Sequence, residues 1–326
     1  MTEKISTTCL YILIFPIIQL IIQCDAPRKN PLDPENPDNI YHILEGRVKT
    51  ISLPAQPLPD VTVYWNKQMT TTQTNSEGIF SFETINTQNG WLRFEKEGYV
   101  SDSTYIQWNN NKKIFVEISL NALPSLDSLI VFSIILNRYP SLQTEQIAVE
   151  AKISDEDNDI DTVRVIINHI AFSSDLPFNT SNKWYQKTFS IFDLSIPKLE
   201  RLVGHDFLIN VKDIFNHQFI VGRSTIERVI REEIIFISPA GNDTTSVNPL
   251  LIWQAFEPGF LFTYQLQVFT SEITPQLIWQ KSYLDNNLTS YTVDANLPPG
   301  EYFWIIWAID EFGNRTRSKP ASFIVK

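Results

Sequence analysis

Seven consecutive residues, Asp155-Glu156-Asp157-Asn158-Asp159-Ile160-Asp161, set four aspartates at alternating positions. Clustered hard carboxylate oxygens of this kind suit calcium, which takes about six to eight oxygen ligands. Asp155, Asp157, Asp159 and Asp161 are therefore the candidate ligands for a calcium ion, and no other cofactor is indicated. A helix-flanked calcium loop is excluded, because Ile160 stands where its turn needs Gly and Ile166 where it needs a bidentate Glu. The competing reading is a solvated turn in which Asp and Asn side chains cap the backbone between two strands.

Other chemistry-bearing residues are scattered. His42 and Glu45 match the His-x-x-Glu spacing of a zinc site, but on a strand residues three apart face opposite ways, and no third ligand stands nearby. His169, His205 and His217 with Asp206 and Asp213 could form an acid–base set only if the fold gathered them. No nucleophile elbow, phosphate-binding loop or dinucleotide glycine pattern occurs, so no catalytic residue is expected.

Only two cysteines are present, Cys9 and Cys24, and both lie near the N-terminus. No disulfide framework is available to the rest of the chain. Lys4 precedes an apolar run over residues 9–22, too short to cross roughly 30 Å of hydrocarbon with ease and suited to an export signal. Leu20-Ile21-Ile22-Gln23-Cys24 resembles a bacterial lipobox, with Gln23 in place of the usual small residue. That resemblance implies a signal over residues 1–23, a lipid on Cys24, membrane attachment through that lipid, and export to the cell envelope, as in an outer-membrane lipoprotein. Residues 24–39, rich in Pro, Asn and Asp, read as an extended tether.

The elements behind these residues follow from composition and period. A chain of 326 residues exceeds one ordinary core and suggests two or three domains. Its net charge of -11, with no clustered Lys or Arg, argues against nucleic acid as a partner. From residue 40 onward strand-length runs alternate apolar and polar positions between Asn, Gly, Pro and Asp turns. The fold class is all-β, three tandem β-sandwich domains after the signal and tether. One short helix is expected at residues 191–203, weakened by Pro197.

Residues 40–121 resemble the carboxypeptidase regulatory-like domain, a small transthyretin-like sandwich. The likeness rests on Leu44-Glu45-Gly46-Arg47-Val48, Leu58-Pro59-Asp60-Val61-Thr62-Val63, the run from Thr72 through Gly78 to Phe82, and Phe94-Glu95-Lys96-Glu97-Gly98-Tyr99. It implies an accessory structural or binding domain. Residues 122–231 look like an immunoglobulin-like or cadherin-like sandwich, with candidate strands at residues 146–153, 162–170 and 206–212. Residues 232–326 resemble fibronectin type III: Ser238-Pro239 opens the pattern, Trp253 fills the core, and Leu297-Pro298-Pro299-Gly300-Glu301-Tyr302 matches the tyrosine corner. Asp213-Ile214-Phe215 and Asp310-Glu311-Phe312 read as one late hairpin used twice.

If Tyr302, Trp304, Ile306 and Ala308 face the core, then Phe303, Ile305, Trp307 and Ile309 face outward. A row of large apolar side chains there is a candidate interaction patch, covered either by a neighbouring domain or by a partner. Trp65, Trp108 and Trp184 are candidates for stacking on sugar rings. The sequons at Asn179, Asn242, Asn287 and Asn314 are near chance frequency. Together these readings lead to the expectation of a non-catalytic, lipid-anchored envelope protein that binds or scaffolds an unknown protein or polysaccharide. The alternatives are a carbohydrate-binding accessory lipoprotein and an enzyme with an unrecognised site.

Overall fold

A computed structural model describes residues 42–83 and 87–326. Cys24, the signal and the tether lie outside the described residues. The chain divides into two compact units, Met1–Asn121 and Ala122–Lys326, and both are all-β. Among the described residues the only helical turns are 3-10 turns at Asn168–Ile170 and Leu199–Leu202. The helix expected over residues 191–203 thus shrinks to one turn beyond Pro197, a residue that lacks the amide a helix interior requires.

The first unit comprises β1 (Ile43–Thr50), β2 (Thr62–Trp65), β3 (Thr70–Gln73), β4 (Ile79–Phe82), β5 (Gly90–Glu95), β6 (Asp102–Ile106) and β7 (Lys113–Leu120). Two sheets, ordered β4-β1-β7 and β3-β2-β5-β6, enclose one core. Period-two alternation puts Leu44 and Val48, Val63 and Trp65, Phe80 and Phe82, and Leu92 and Phe94 into it. Each buried aromatic of this set contributes roughly 2–3 kcal/mol of transfer free energy. The β3–β4 turn closes on Asn75, whose Oδ1 accepts the amides of Glu77 and Ile79, with Gly78 at φ +72°. Gly46 is needed for a different reason: a Cβ there would lie 2.1 Å from the Val116 carbonyl oxygen and 2.7 Å from the Phe80 ring.

The second unit begins with β8 (Ser125–Arg138), β9 (Leu142–Ser154), β10 (Ile160–Ile167), β11 (Phe172–Asp175), β12 (Phe178–Asn179), β13 (Trp184–Ser190), β14 (Phe207–Asp213) and β15 (Gln218–Ser224). One sheet runs β11-β10-β14-β15 and the other β12-β13-β9-β8. Their inner faces meet over Ile135, Ile147, Val149, Val165, Phe189, Phe207 and Ile209, all nearly or fully buried.

It continues with β16 (Phe236–Ser238), β17 (Asp243–Thr245), β18 (Leu250–Trp253), β19 (Phe262–Thr270), β20 (Leu277–Asp285), β21 (Ser290–Thr292), β22 (Gly300–Asp310), β23 (Arg315–Arg317) and β24 (Ala321–Val325). Trp253, Tyr264, Trp304 and Phe323 fill this core, and Tyr302, Trp304, Ile306 and Ala308 all point into it. The Tyr302 hydroxyl donates to the Pro298 carbonyl at 2.8 Å, closing the corner that the Pro-Pro-Gly run prepares.

The two sandwiches of this unit share a sheet. β8 outruns its own sandwich and pairs in parallel with β23, Arg315 beside Ile134, Thr316 beside Ile135 and Arg317 beside Leu136. The result is one ten-stranded sheet running from β12 to β20, with β24 and β17 branching from β22.

Candidate functional site

The acidic loop joins β9 to β10. Burial there is high for carboxylates, with Asp157 at 7% and Asp159 at 8% exposure. Asp155 Oδ2 accepts the Asp159 amide at 2.9 Å, while Asp155 Oδ1 and Asp159 Oδ2 are buried without a hydrogen-bond partner. Asp157 Oδ2 accepts the Ala122 amide at 2.5 Å, tying the loop to the start of the unit. Burial, followed by the negative charge of Asp155 and smaller contributions from Asp213 and Asp157, pushes the Asp159 carboxyl up to about 6. Asp161 turns away, since it has entered β10 and pairs with Lys212 at 2.6 Å. Its place near Asp159 is taken by Asp213, at the end of β14. Among the described residues no three carboxylate, imidazole or thiolate groups converge as metal ligands would.

The histidines do not assemble. His169 and His205 stack with ring centroids 3.6 Å apart, whereas His217 Nδ1 lies 2.7 Å from Asp213 Oδ2 and Asp206 pairs with Arg223 at 3.2 Å. His42 packs edge-on against Trp108 while Glu45 pairs with Lys113, so those two share no site.

The outward row of β22 is not open. Ile305 is buried at 4% exposure and lines a cavity with Arg138 at the end of β8, Tyr139 of the β8–β9 turn, Phe303, Arg317 and Pro320. Phe303 stacks on Phe269 at 5.2 Å, and Trp307 Nε1 donates to Gln267 Oε1 at 3.0 Å. The end of the preceding sandwich thus reaches over part of this face. Arg138 and Arg317 are members of the cavity that sequence reasoning missed.

Two of the three tryptophans considered for sugar stacking are core residues: Trp65 and Trp108 are 0% and 1% exposed, so neither can receive a ring. Val61 and Val63, four and two residues before Trp65 and fully buried, carry the period that places it inward. Half-exposed aromatics of the first unit are instead Phe115 on β7 and the cross-strand pair Trp91 and Tyr105 on β5 and β6, whose ring centroids are 5.2 Å apart. Trp184 is partly buried at the start of β13. Asn314 is fully buried, which removes its sequon from any glycan.

Buried polar groups hold the two sandwiches of the second unit together. Asn314 Oδ1 accepts from the Ser133 amide and hydroxyl, and Asn314 Nδ2 donates to Asp310 Oδ2 at 3.1 Å. Asn137 Nδ2 donates to the Arg317 carbonyl at 2.9 Å. The connecting segment is clamped by Arg231, which forms a bidentate pair with Glu145 at 2.9 and 2.7 Å and also engages Glu200.

Comparison with known proteins agrees with the domain type of the first unit. Residues 44–131 match the family model of the CarboxypepD_reg-like domain. No curated protein matches the sequence. Among solved structures, the major pilin subunit BcpA of Bacillus cereus is 10% identical, with 88% of this chain and 98% of that one covered and a TM-score of 0.26. The chicken CNTN1 FN1–FN3 domains are 10% identical over 82% of this chain and 90% of theirs, with a TM-score of 0.31. The fibronectin(III)-like modules of Clostridium thermocellum CbhA are 11% identical over 62% and 93%, with a TM-score of 0.29. These are likenesses of all-β fold and carry nothing about ligands.

Proposed function

We propose that the chain is a non-catalytic binding or scaffold protein, exported to a bacterial cell envelope and tethered there by a lipid on Cys24. The shared sheet of the second unit is the observation that carries this reading. A strand of one sandwich running into the sheet of the next, with buried hydrogen bonds across the junction, fixes the spacing of the faces on either side. Presenting surfaces at a fixed spacing is what a scaffold requires, and a Pro-rich tether over residues 24–39 would supply reach from the membrane. The partner is a protein or surface polymer.

A second reading, carbohydrate binding, rests on Trp91 and Tyr105, half-exposed cross-strand neighbours packed edge to face at 63°, where Trp65 and Trp108 are buried. Electrophoresis of residues 40–326 through gels carrying envelope polysaccharides separates the two. Retention that is lost in Trp91→Ser, with melting unchanged, supports the carbohydrate reading. Absence of retention, together with discrete protein cross-links formed on intact cells, supports the scaffold reading. A soluble wild-type chain that takes up no labelled palmitate in a bacterium would overturn the lipid tether.

A further inference from the structure

The cavity between the β8–β9 turn and β22–β23 of the second unit has a volume of about 310 Å³ and combines two kinds of wall. One is basic. Arg138 and Arg317 line it, and among the described residues neither guanidinium has a carboxylate partner. Arg317 Nε is buried with no hydrogen bond at all, an expensive state for a donor that a folded chain normally satisfies. Burial and the neighbouring Arg138 charge both push the Arg317 guanidinium below its ordinary value, with no acidic group offsetting them. Glu233 is taken by Lys319 at 3.1 Å, and Lys319 itself sits over the ring of Tyr139, which lines the cavity.

The other wall is apolar, made of Phe303, Ile305 and Pro320, with Tyr139 half exposed at the mouth. Paired guanidiniums match a carboxylate through parallel charge-assisted hydrogen bonds. A hydrocarbon wall has nothing to offer the hydroxyls of a sugar acid and favours an apolar body.

We propose that this cavity is a binding site for a carboxylate carried on an apolar body, the carboxylate on Arg138 and Arg317 and the apolar part on Phe303, Ile305 and Pro320. The site is distinct from the Trp91 and Tyr105 face and from the lipid tether, so it stands or falls independently of the function proposed above. Calorimetric titration of residues 40–326 with N-acetylphenylalanine, with its uncharged amide and with glucuronate tests it. The acid is expected to bind, and the amide to bind about tenfold more weakly, the loss typical of a charge-assisted hydrogen bond. Glucuronate is expected to bind more weakly than the aromatic acid. Arg317→Gln should abolish binding while raising the melting temperature, because it removes a charged group whose Nε is buried without a hydrogen bond. Arg138→Gln changes an exposed residue at the end of β8 and keeps the test open if Arg317→Gln misfolds; it should weaken the acid severalfold and leave the amide unchanged. Equal affinity for acid and amide, glucuronate binding as tightly as the aromatic acid, or no heat with any of them at millimolar concentration, would overturn the proposal.

Discussion

The side-chain oxygen of Asn314 accepts both the amide and the hydroxyl of Ser133, at 2.9 and 3.1 Å, across 181 residues of sequence. Asn314 can do so because its own hairpin is braced. Asp310 Oδ1 accepts the Asn314 amide at 2.8 Å, and the Asp310 amide donates to the Asn314 carbonyl at 3.0 Å. The same bracing occurs in the preceding sandwich, where Asp213 Oδ1 accepts the His217 amide at 2.8 Å and the Asp213 amide donates to the His217 carbonyl at 3.1 Å. One hairpin design is thus used twice, and its second copy is the junction.

Asn314→Ala would leave the Ser133 amide buried without its partner, at a cost of about 2 kcal/mol, while Asp310 Oδ2 keeps Arg228 at 3.4 Å. The β8–β23 pairing should loosen first. Urea unfolding followed by tryptophan fluorescence is therefore expected to change from one transition to two for the second unit. A single transition at unchanged midpoint would show that the apolar contacts alone hold the junction.

Arg231 should matter through Glu145 rather than Glu200. Glu145 is buried, its Oε2 also accepting the Leu199 amide at 3.1 Å, whereas the Glu200 side chain is 45% exposed. Arg231→Met leaves a buried carboxylate without its cation and is expected to cost about 2–3 kcal/mol. Glu200→Gln should change stability far less, as exposed pairs generally do. The hydrogen bond to Arg231 lowers the Glu200 carboxyl from its ordinary 4.5, so what the pair contributes is present above that pH and is lost as pH falls below it. Acid unfolding curves of the wild type and Glu200→Gln should converge at low pH, separate as pH rises toward about 4.5, and stay apart by a constant amount above it.

Local alternation made the cores of the first and last sandwiches legible: Phe80 and Phe82, Trp253, and the Tyr302, Trp304, Ile306, Ala308 row all lie where period two puts them. The tyrosine corner was equally plain, since its donor and acceptor are four residues apart. β8 was not read as a strand, although Leu129-Ile130-Val131-Phe132-Ser133-Ile134-Ile135-Leu136 is apolar but for Ser133, the run of a strand covered on both faces from Val131 onward. Alternation is silent in such a strand because both of its faces are covered. The cover over Ile305 comes from Tyr139, more than a hundred residues earlier, and no short-range pattern encodes it. Asp161 and Asp213 exchanged roles for a similar reason, because spacing along a loop does not tell which carboxylate a sheet partner brings close.

Asp159 makes the stability of the second unit depend on pH in the opposite sense to Glu200. Its carboxyl is raised in the folded state, from an ordinary 3.8 to about 6, so the native protein holds that proton more tightly than the unfolded chain does. Stability should therefore be highest below about 4 as far as this group is concerned, fall by on the order of 2 kcal/mol as pH rises to about 6, and level off above. Asp159→Asn should remove that slope and stabilise the protein at pH 7, since the amide keeps the shape without the charge. Chemical denaturation of both forms between pH 4 and about 7.5 measures it. A variant less stable than wild type at neutral pH would mean that the charge is needed.

Two glycines of the first unit separate crowding from backbone strain. Gly46 has an ordinary strand conformation, yet a methyl group there meets the Val116 carbonyl at 2.1 Å, a rigid backbone atom that cannot yield without parting β1 from β7. Gly46→Ala should cost about 2–3 kcal/mol through overpacking alone. Gly78 combines the same crowding, 2.3 Å to the Val48 carbonyl, with a φ of +72°. Its replacement by Ala adds about 1–2 kcal/mol of left-handed strain to the packing cost. Gly78→Asn should not recover the loss, even though Asn tolerates the left-handed region, because it keeps the offending Cβ. If Asn at residue 78 restored wild-type stability, conformation rather than space would be what the turn demands of this position.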